Sequence, residues 1–330
     1  GIHFGSTLAG GGFNTTIVGG AGFAAAVSGV NDLAADHIDS ESTISAATVT
    51  VSGTSDLGGN VTTTGEQVYS GAVIIEGGDR TLTGVDVTFG ATLDGAQNLV
   101  LDNSGVTTFT GAVGGIASLS SLTTDSGGTT LIDGGVVNTI GGQTYNDSVT
   151  LGAATLLNGV GLTFGSAIDT GGHDLTLDSS TAGNITVSGA LSGGGEFTVI
   201  RGAVQSYAAI MVDGFSIMDV TTSVTFQGTV DVAGDVLIVS RGTVGQTADG
   251  RIIAGNLGIR VVGAAGDVAL GVAANDVDVL AVRNFAETGK VIFFDSDDLT
   301  IDVVSGNLAF PTFATTTGID TNAGDINITS

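Results

Sequence analysis

The densest group of acidic side chains in the sequence could bind a divalent cation. Its four carboxylates are Asp295, Asp297, Asp298 and Asp302, which lie between two segments typical of strands. Hard oxygen ligands of this kind suit Ca²⁺. Their spacing matches neither the EF-hand loop nor the glycine-rich nonapeptide of calcium-binding β-rolls, so an exposed acidic turn is the alternative interpretation. The sequence therefore predicts Ca²⁺ as its one candidate cofactor.

Other acids recur at equivalent positions of an internal repeat, namely Asp94, Asp169 and Asp231, and again Asp102 and Asp178. Paired carboxylates carry out general acid and base catalysis in glycoside hydrolysis. Recurrence instead favours turns, in which an aspartate accepts hydrogen bonds from nearby backbone N–H groups. Aromatic residues, which hold sugar rings in clefts, make up only 5% of the chain, and Trp is absent. We therefore predict that the protein is not an enzyme, with a polysaccharide-active enzyme as the alternative.

The three histidines, His3, His37 and His173, supply no catalytic motif. A nucleophile needs a base beside it, and no such pairing surrounds any of them. His37 stands between Asp36 and Asp39 and could join a metal site. A histidine beside aspartates is equally typical of a solvated acidic surface. The sequence thus predicts no catalytic residue.

The composition excludes whole classes of partner. Among 330 residues, 33 are acidic and 7 are Lys or Arg, which gives a net charge of −26. Binding to nucleic acid or to an anionic membrane needs clustered basic side chains, so neither is expected. No apolar run reaches the roughly 18 residues that span a bilayer. Apolar residues nevertheless make up 42% of the chain, enough to bury a large core.

The chain contains a long internal repeat and a shorter one within it. Gln67, Gln143 and Gln205 each precede a tyrosine by two positions, and they mark the starts of successive copies of the long repeat. All three tyrosines of the chain therefore occupy one repeat position. Inside the long repeat, Val87–Gly90 resembles Thr107–Thr110. The short period, about 20–22 residues, is typical of one coil of a solenoid.

These features predict an all-β fold, a right-handed parallel β-helix (β-solenoid) with coils of about 20–22 residues. Short apolar strands alternate with turns, 56 glycines suit those turns, and proline occurs once, because central strands need every backbone N–H. A row of β-sandwich domains is the alternative, although such domains usually bury a Trp. Near the start, Phe23–Val27 and Asp32–Ala35 could form a short helix. We predict N-terminal coils with a cap over residues 1–60, the repeat-bearing solenoid over 61–260 and C-terminal coils over 261–330.

The amino-acid sequence of the repeats resembles that of a known family. Thr107–Gly115, Ala117–Asp125 and Gly142–Leu151 resemble repeats of filamentous-haemagglutinin-like bacterial surface proteins, and the resemblance covers roughly residues 60 to 240. It implies a secreted or surface-attached β-solenoid, often the stalk of an adhesin.

From the repeats and the resemblance together we predict an extracellular or cell-surface protein with a structural or adhesive role, a stalk or filament segment. Its expected partners are further copies stacked head to tail, or other surface proteins and glycans. A ligand-binding adhesin module is a further alternative. Such a module would carry excursion loops, for which Ile200–Met218 and Ala281–Lys290 are the candidates.

Overall fold

The computed structural model describes residues 1–307 and 313–330, and these residues form strands and turns without a helix. The chain divides into two compact units, Gly1–Thr155 and Leu156–Ser330, and each unit is a solenoid of stacked coils with parallel strands. The predicted all-β parallel β-solenoid is confirmed. The prediction of a short helix near the start is wrong. Phe23 ends one strand, and Asp32–Ala35 lies inside another, because pairing with the coils on either side satisfies the backbone there.

Unit 1 is built mostly from short strands. They are β1 (Ile2–Phe4), β2 (Leu8–Ala9), β3 (Thr15–Phe23), β4 (Val27–Ser40), β5 (Ile44–Val51), β6 (Ser55–Leu57), β7 (Val61–Thr63), β8 (Gln67–Tyr69), β9 (Val73–Ile75), β10 (Arg80–Gly84), β11 (Val87–Phe89), β12 (Leu93–Asp94), β13 (Asn98–Asn103), β14 (Val106–Phe109), β15 (Ser121–Thr124), β16 (Thr129–Ile132), β17 (Val136–Asn138), β18 (Gln143–Tyr145) and β19 (Ser148–Leu151).

A further strand lies at the boundary, β20 (Thr155–Asn158). The strands of unit 2 include several long ones. They are β21 (Leu162–Phe164), β22 (Ile168–Asp169), β23 (Leu175–Asp178), β24 (Ile185–Val187), β25 (Leu191–Ser192), β26 (Glu196–Tyr207), β27 (Ile210–Val212), β28 (Gly214–Phe226), β29 (Val230–Ser240), β30 (Thr243–Gln246), β31 (Ile252–Val261), β32 (Val268–Asn284), β33 (Val291–Asp295), β34 (Thr300–Ile301), β35 (Val303–Val304), β36 (Thr316–Thr317), β37 (Ile319–Thr321) and β38 (Ile326–Thr329).

The core of unit 1 consists of columns, in which each inward side chain lies on the one a coil before it. In one column, successive members pair in parallel register and all are buried. Its members are Ile17, Ala35, Val51, Tyr69, Phe89, Phe109, Ile132 and Leu151. The predicted coil period matches the two steps of this column that lead from Tyr69 through Phe89 to Phe109.

Aromatic rings stack within this column. The ring centroids of Tyr69 and Phe89 are 5.7 Å apart, and those of Phe89 and Phe109 are 5.5 Å apart, with nearly parallel planes. Paired strands lie about 4.8 Å apart, so a column of aromatic residues places its rings at stacking distance. The column therefore combines burial with direct ring contacts.

Each Gln-x-Tyr copy forms the same buried pair. The tyrosine hydroxyl donates to Oε1 of the glutamine two positions earlier, at 3.0 Å for Tyr69 and Tyr145 and at 2.5 Å for Tyr207. Burial raises the pKa of all three phenols, which keeps them protonated as donors. The amide of Gln67 donates in turn to the carbonyl of Thr83 at 2.9 Å. The repeat thus places a hydrogen-bonded polar pair in the apolar core.

The long repeat does not span a whole number of coils. Gln67 pairs in register with Val49 and Val87, and its column continues through Thr107 and Thr130 to Val149. Gln143, the equivalent of Gln67 in the next copy, instead pairs with Leu122 on a different ladder of the same unit. The repeat is therefore a recurring local segment.

Glycine is required where coils approach each other most closely. Gly128 has a φ of 99°, which residues with a side chain rarely adopt. A Cβ atom at this position would also collide with the carbonyl oxygen of Gly105 in the preceding coil. Close approach at such corners accounts for part of the high glycine content.

In unit 2 a comparable column runs through every coil. Its members are Leu162, Ile185, Gln205, Val224, Val244, Val268, Val291 and Ile326. The last step, from Val291 to Ile326, is the longest, because the chain leaves the coil after β34 and returns at β37.

The departing segment forms a lateral hairpin, which we define as the antiparallel pair β35 and β36 with Phe313. Val304 and Phe313 are buried against Leu237 and Ala281 on the outer face of the coils. Gly258 lies under them, where a Cβ atom would come within 2.8 Å of the Phe313 ring. Small outward residues therefore create the space that this hairpin fills.

The prediction of excursion loops at Ile200–Met218 and Ala281–Lys290 is wrong. The first range lies in β26, β27 and β28 and their short connections, and the second holds the end of β32 and a turn. The strands in both ranges pair in register with neighbouring coils, and Phe215 and Val282 within them are fully buried.

We predict that Phe89→Ala lowers the free energy of unfolding by about 3–5 kcal/mol, because it removes a buried ring that stacks on two others. Urea unfolding followed by circular dichroism measures the loss. Val100→Ala is the matched control, since Val100 lies between two paired strands but points outward and is 36% exposed. Equal losses for the two variants would contradict the column as the source of stability.

Candidate functional site

The four predicted calcium ligands are separated by burial. Asp295 is fully buried at the end of β33, whereas Asp297, Asp298 and Asp302 are exposed. Asp295 Oδ1 accepts a hydrogen bond of 3.2 Å from the backbone N–H of Val277. Among the described residues, no three His, Asp or Glu side chains form a group that could hold a metal ion. Calcium binding by this segment stays a prediction.

Asp295 belongs to a buried polar network. It pairs in register with Asn275, whose amide nitrogen donates to the carbonyls of Leu270 and Phe294, both at 2.9 Å. The Oδ2 atom of Asp295 is buried and has no hydrogen-bond partner. Burial raises the pKa of Asp295, and the neighbouring Asp297 raises it further. This carboxyl therefore holds its proton to a higher pH than an exposed aspartate does.

Two of the recurring aspartates have the predicted structural role. Asp94 Oδ1 accepts from the backbone N–H groups of Ile116 and Ala117, at 2.8 and 3.0 Å. Asp169 Oδ1 accepts from the N–H of Gly171 at 2.9 Å, which closes a local turn. These carboxylates hold turns in place.

The repeat partner Asp178 has a different role, which the sequence pattern did not indicate. It forms a two-point ion pair with Arg201, at 2.8 and 2.6 Å. Asp102, the corresponding residue one repeat earlier, is exposed. Equivalent repeat positions therefore do not share one function.

The histidine next to two aspartates lies on the outer surface of the first coils. His37 Nδ1 is 2.6 Å from the hydroxyl oxygen of Thr54, while Asp36 accepts from the N–H of Gly19 at 2.7 Å. His37 also lines a cavity of about 270 Å³ together with His3 and Asp39. The contacts of Asp36 are thus structural.

Unit 2 brings together acids that the sequence analysis did not group. We define the acidic groove as Asp174, Glu196, Asp213 and Asp235. Asp174 directly precedes β23 and lies beside Glu196 of the adjacent β26. The register of the next strands places Gly214 between Glu196 and Asp235. Because residue 214 is a glycine, the carboxyl group of Glu196 occupies the position that a side chain would take there.

The acids of this groove differ in their surroundings. Asp174 accepts from the N–H of Glu196, Asp213 from the N–H of Gly195 and Asp235 from the amide of Asn256, at 2.9, 2.9 and 2.7 Å. The Oε2 atom of Glu196 is buried without a hydrogen-bond partner. Burial and the three neighbouring carboxylates raise the pKa of Glu196.

A carboxyl group with a raised pKa beside further carboxyl groups is the arrangement that general acid and base catalysis uses. A cavity of about 380 Å³ adjoins the groove and is lined by Asp213, Asp231 and Met211 among others. The sequence signal for the groove was the spacing of one coil, which separates Asp174 from Glu196 and also separates Asp213 from Asp235.

Comparisons with known proteins return no match. No family model matches the chain, and neither the search of curated proteins nor the search of solved structures finds a similar one. The resemblance to filamentous-haemagglutinin-like repeats therefore stays a prediction, although the solenoid fold that it implies is present. Within the described part of the chain, no helix has the length and apolar character needed to cross a membrane.

We predict that Asp295→Asn stabilises the protein at pH 7 by about 1–3 kcal/mol. The folded-state pKa of Asp295 is raised, so as pH rises from about 4 the unfolded chain releases this proton first and the free energy of unfolding falls. The variant should lose that pH dependence, because its amide carries no proton to release in this range.

Urea unfolding of both proteins at pH 4 and pH 7 tests this expectation. Asp298→Asn removes an exposed carboxyl close to the buried one in sequence and should leave the wild-type pH dependence in place. If Asp295→Asn unfolds at the same urea concentrations as the wild type at both pH values, burial of the Asp295 carboxyl does not lower the free energy of unfolding.

Proposed function

We propose that this chain is a stiff structural segment of an extracellular stalk or filament, with adhesive contacts made by its surfaces and ends. One observation supports this most directly: in each unit, uninterrupted columns of buried side chains and parallel backbone ladders run from coil to coil. Such a structure gains stability from every neighbouring coil, so it suits a load-bearing spacer better than a mobile binding domain.

The acidic composition is consistent with an exported protein that stays soluble at a surface. A net charge of −26 keeps separate molecules apart except where specific contacts form. The absence of cysteine leaves stability independent of the redox state of the surroundings. Localisation outside the cell is part of the proposal.

The two end coils support association of copies head to tail. Ile2 pairs with the buried Ala21, yet it is itself 51% exposed, because β1 pairs with β3 only. Ile326 pairs with the buried Val291 and is 49% exposed. These side chains continue the inward columns, so a further coil of the same geometry would cover them. Unpaired strand edges of this type readily accept another strand.

We expect the wild-type protein to form long unbranched filaments in negative-stain electron microscopy. Ile326→Lys should reduce them to single particles, because it places a charge on the exposed end of a column. Val100→Lys is the matched control, since Val100 lies on a lateral surface between paired strands. Filaments that survive Ile326→Lys and deletion of residues 324–330 would contradict association through this end.

The same grids, prepared with calcium chloride and with a chelator, address the predicted calcium site. Filaments that lengthen with calcium in the wild type but not in Asp297→Asn would support it. Identical filaments under both conditions would count against a role of calcium in assembly.

A second candidate function is cleavage of a polysaccharide, and the acidic groove is the observation that favours it. Glu196 would act as general acid, and one of the aspartates beside it would act as base or nucleophile. A solenoid provides a long lateral surface along which a polymer can lie. Within the described residues, the groove is therefore where an enzyme activity would be expected.

Incubation with a panel of polysaccharides, followed by measurement of new reducing ends, tests this candidate. Activity should fall at least about a hundredfold in Glu196→Gln, which cannot deliver a proton. Glu66→Gln, at an exposed position of unit 1, should retain full activity. No release of reducing ends by the wild type, or equal release by Glu196→Gln, would exclude Glu196 as the acid.

A further inference from the structure

The arginines of unit 2 have unequal partners. Because the chain has 33 acidic and 7 basic residues, we expect every guanidinium to have a carboxylate partner. Three arginines form close ion pairs with N–O distances of 2.6 to 2.9 Å: Arg201 with Asp178, Arg241 with Asp219 and Arg251 with Asp276. Arg260 has no carboxylate partner among the described residues, and its Nη1 atom donates to the hydroxyl of Thr316 at 3.2 Å.

A second guanidinium lies beside Arg260. Arg260 in β31 and Arg283 in β32 are direct partners in register. The Cζ atoms of Arg260 and Arg283 lie 5.2 and 4.7 Å from the ring centroid of Phe285, which is 40% exposed. The ring therefore holds two cations in one place through cation–π contacts.

Of these two cations, only Arg283 has a carboxylate partner among the described residues. Arg283 Nε lies 3.5 Å from Asp320 Oδ2, a longer contact than in the three other arginine pairs. Burial and the adjacent Arg283 lower the pKa of Arg260. Two neighbouring guanidiniums with one loosely placed carboxylate leave an excess of positive charge, which is exceptional on this acidic surface.

A cavity adjoins the pair. It has a volume of about 360 Å³ and is lined by Arg283, Asn284, Phe285, Asp320, Thr321 and Asn322. All of these residues except Phe285 are polar or charged, unlike the mostly apolar lining of typical small-molecule pockets. Carboxamide, hydroxyl and carboxylate groups of this kind pair with the hydroxyls of a sugar.

We propose that Arg260, Phe285 and Arg283 form a binding site for a single carboxylate group carried on a hydroxylated ring, as in an acidic sugar. The planar guanidinium offers paired N–H groups that match a carboxylate. The cavity is large enough for one sugar ring. Asp320 and Asn322 lie where they can contact ring hydroxyls.

The net negative charge of the chain favours a ligand with few negative charges. A long polyanion would meet the repulsion of a protein with net charge −26, whereas one carboxylate would meet only the local positive site. This inference does not depend on head-to-tail association or on the acidic groove. It assigns a ligand class to one lateral surface of unit 2.

Isothermal titration calorimetry of the full chain with glucuronate, glucose and acetate tests the proposal at low salt. Glucuronate should bind, glucose should show no heat of binding, and acetate should bind more weakly than glucuronate. Affinity for glucuronate should fall at least about tenfold in Arg283→Lys and in Phe285→Ala. Raising the salt concentration should weaken binding.

Arg241→Lys is the matched control, because Arg241 is an exposed arginine already paired with Asp219, and it should bind glucuronate as the wild type does. Circular dichroism confirms that each variant is folded, and Arg260→Gln gives an independent second variant at the same site. No binding of glucuronate, or wild-type affinity in both Arg283→Lys and Arg260→Gln, would overturn the site. Equal affinity for acetate and glucuronate would overturn the assignment to a sugar.

Discussion

Every other feature of this protein depends on parallel pairing between successive coils. Most strands have neighbours in the coil before and the coil after, and their backbone N–H and C=O groups are satisfied there. This pairing fixes a rise of about 4.8 Å per coil and places equivalent residues directly on one another. The columns, the stacked aromatic rings and the glycines at close corners are consequences of that single constraint.

The same register decides which surface residues become neighbours. Side chains that are one coil apart in sequence lie on adjacent strands and point to the same side. Asp174 and Glu196 meet in this way, as do Arg260 and Arg283. A solenoid therefore assembles sites from residues separated by about one coil, and small changes in coil length decide which side chains meet.

Charge and space are distributed unevenly along unit 2. The acidic groove concentrates carboxylates around Gly214, which leaves room for the carboxyl group of Glu196. The lateral hairpin covers outward positions where Gly258 and Ala281 leave room for Phe313 and Val304. In both places the absence of a large side chain on one coil creates the space that another segment uses. Small residues on the outer face therefore determine where other segments and side chains pack against the coils.

The fold class follows from the amino-acid sequence alone. The repeat of strands and turns, the abundant glycine and the near absence of proline specify a parallel β-solenoid, because only stacked coils use that pattern of turns and unbroken backbone donors. The sequence also marked Asp94 and Asp169 as turn residues and Gln67 with Tyr69 as a recurring unit, since these depend on local contacts or repeat position.

Which distant residues meet depends on how the coils stack. Coil lengths vary within a single column, from the short step between Ala35 and Val51 to the longer one between Phe109 and Ile132, so a fixed period cannot assign register from sequence. Because of this variation, Gln143 lies on a different ladder from Gln67. The groove around Glu196 and the arginine pair at Phe285 depend on the exact length of the coil that separates their members, which no local pattern encodes.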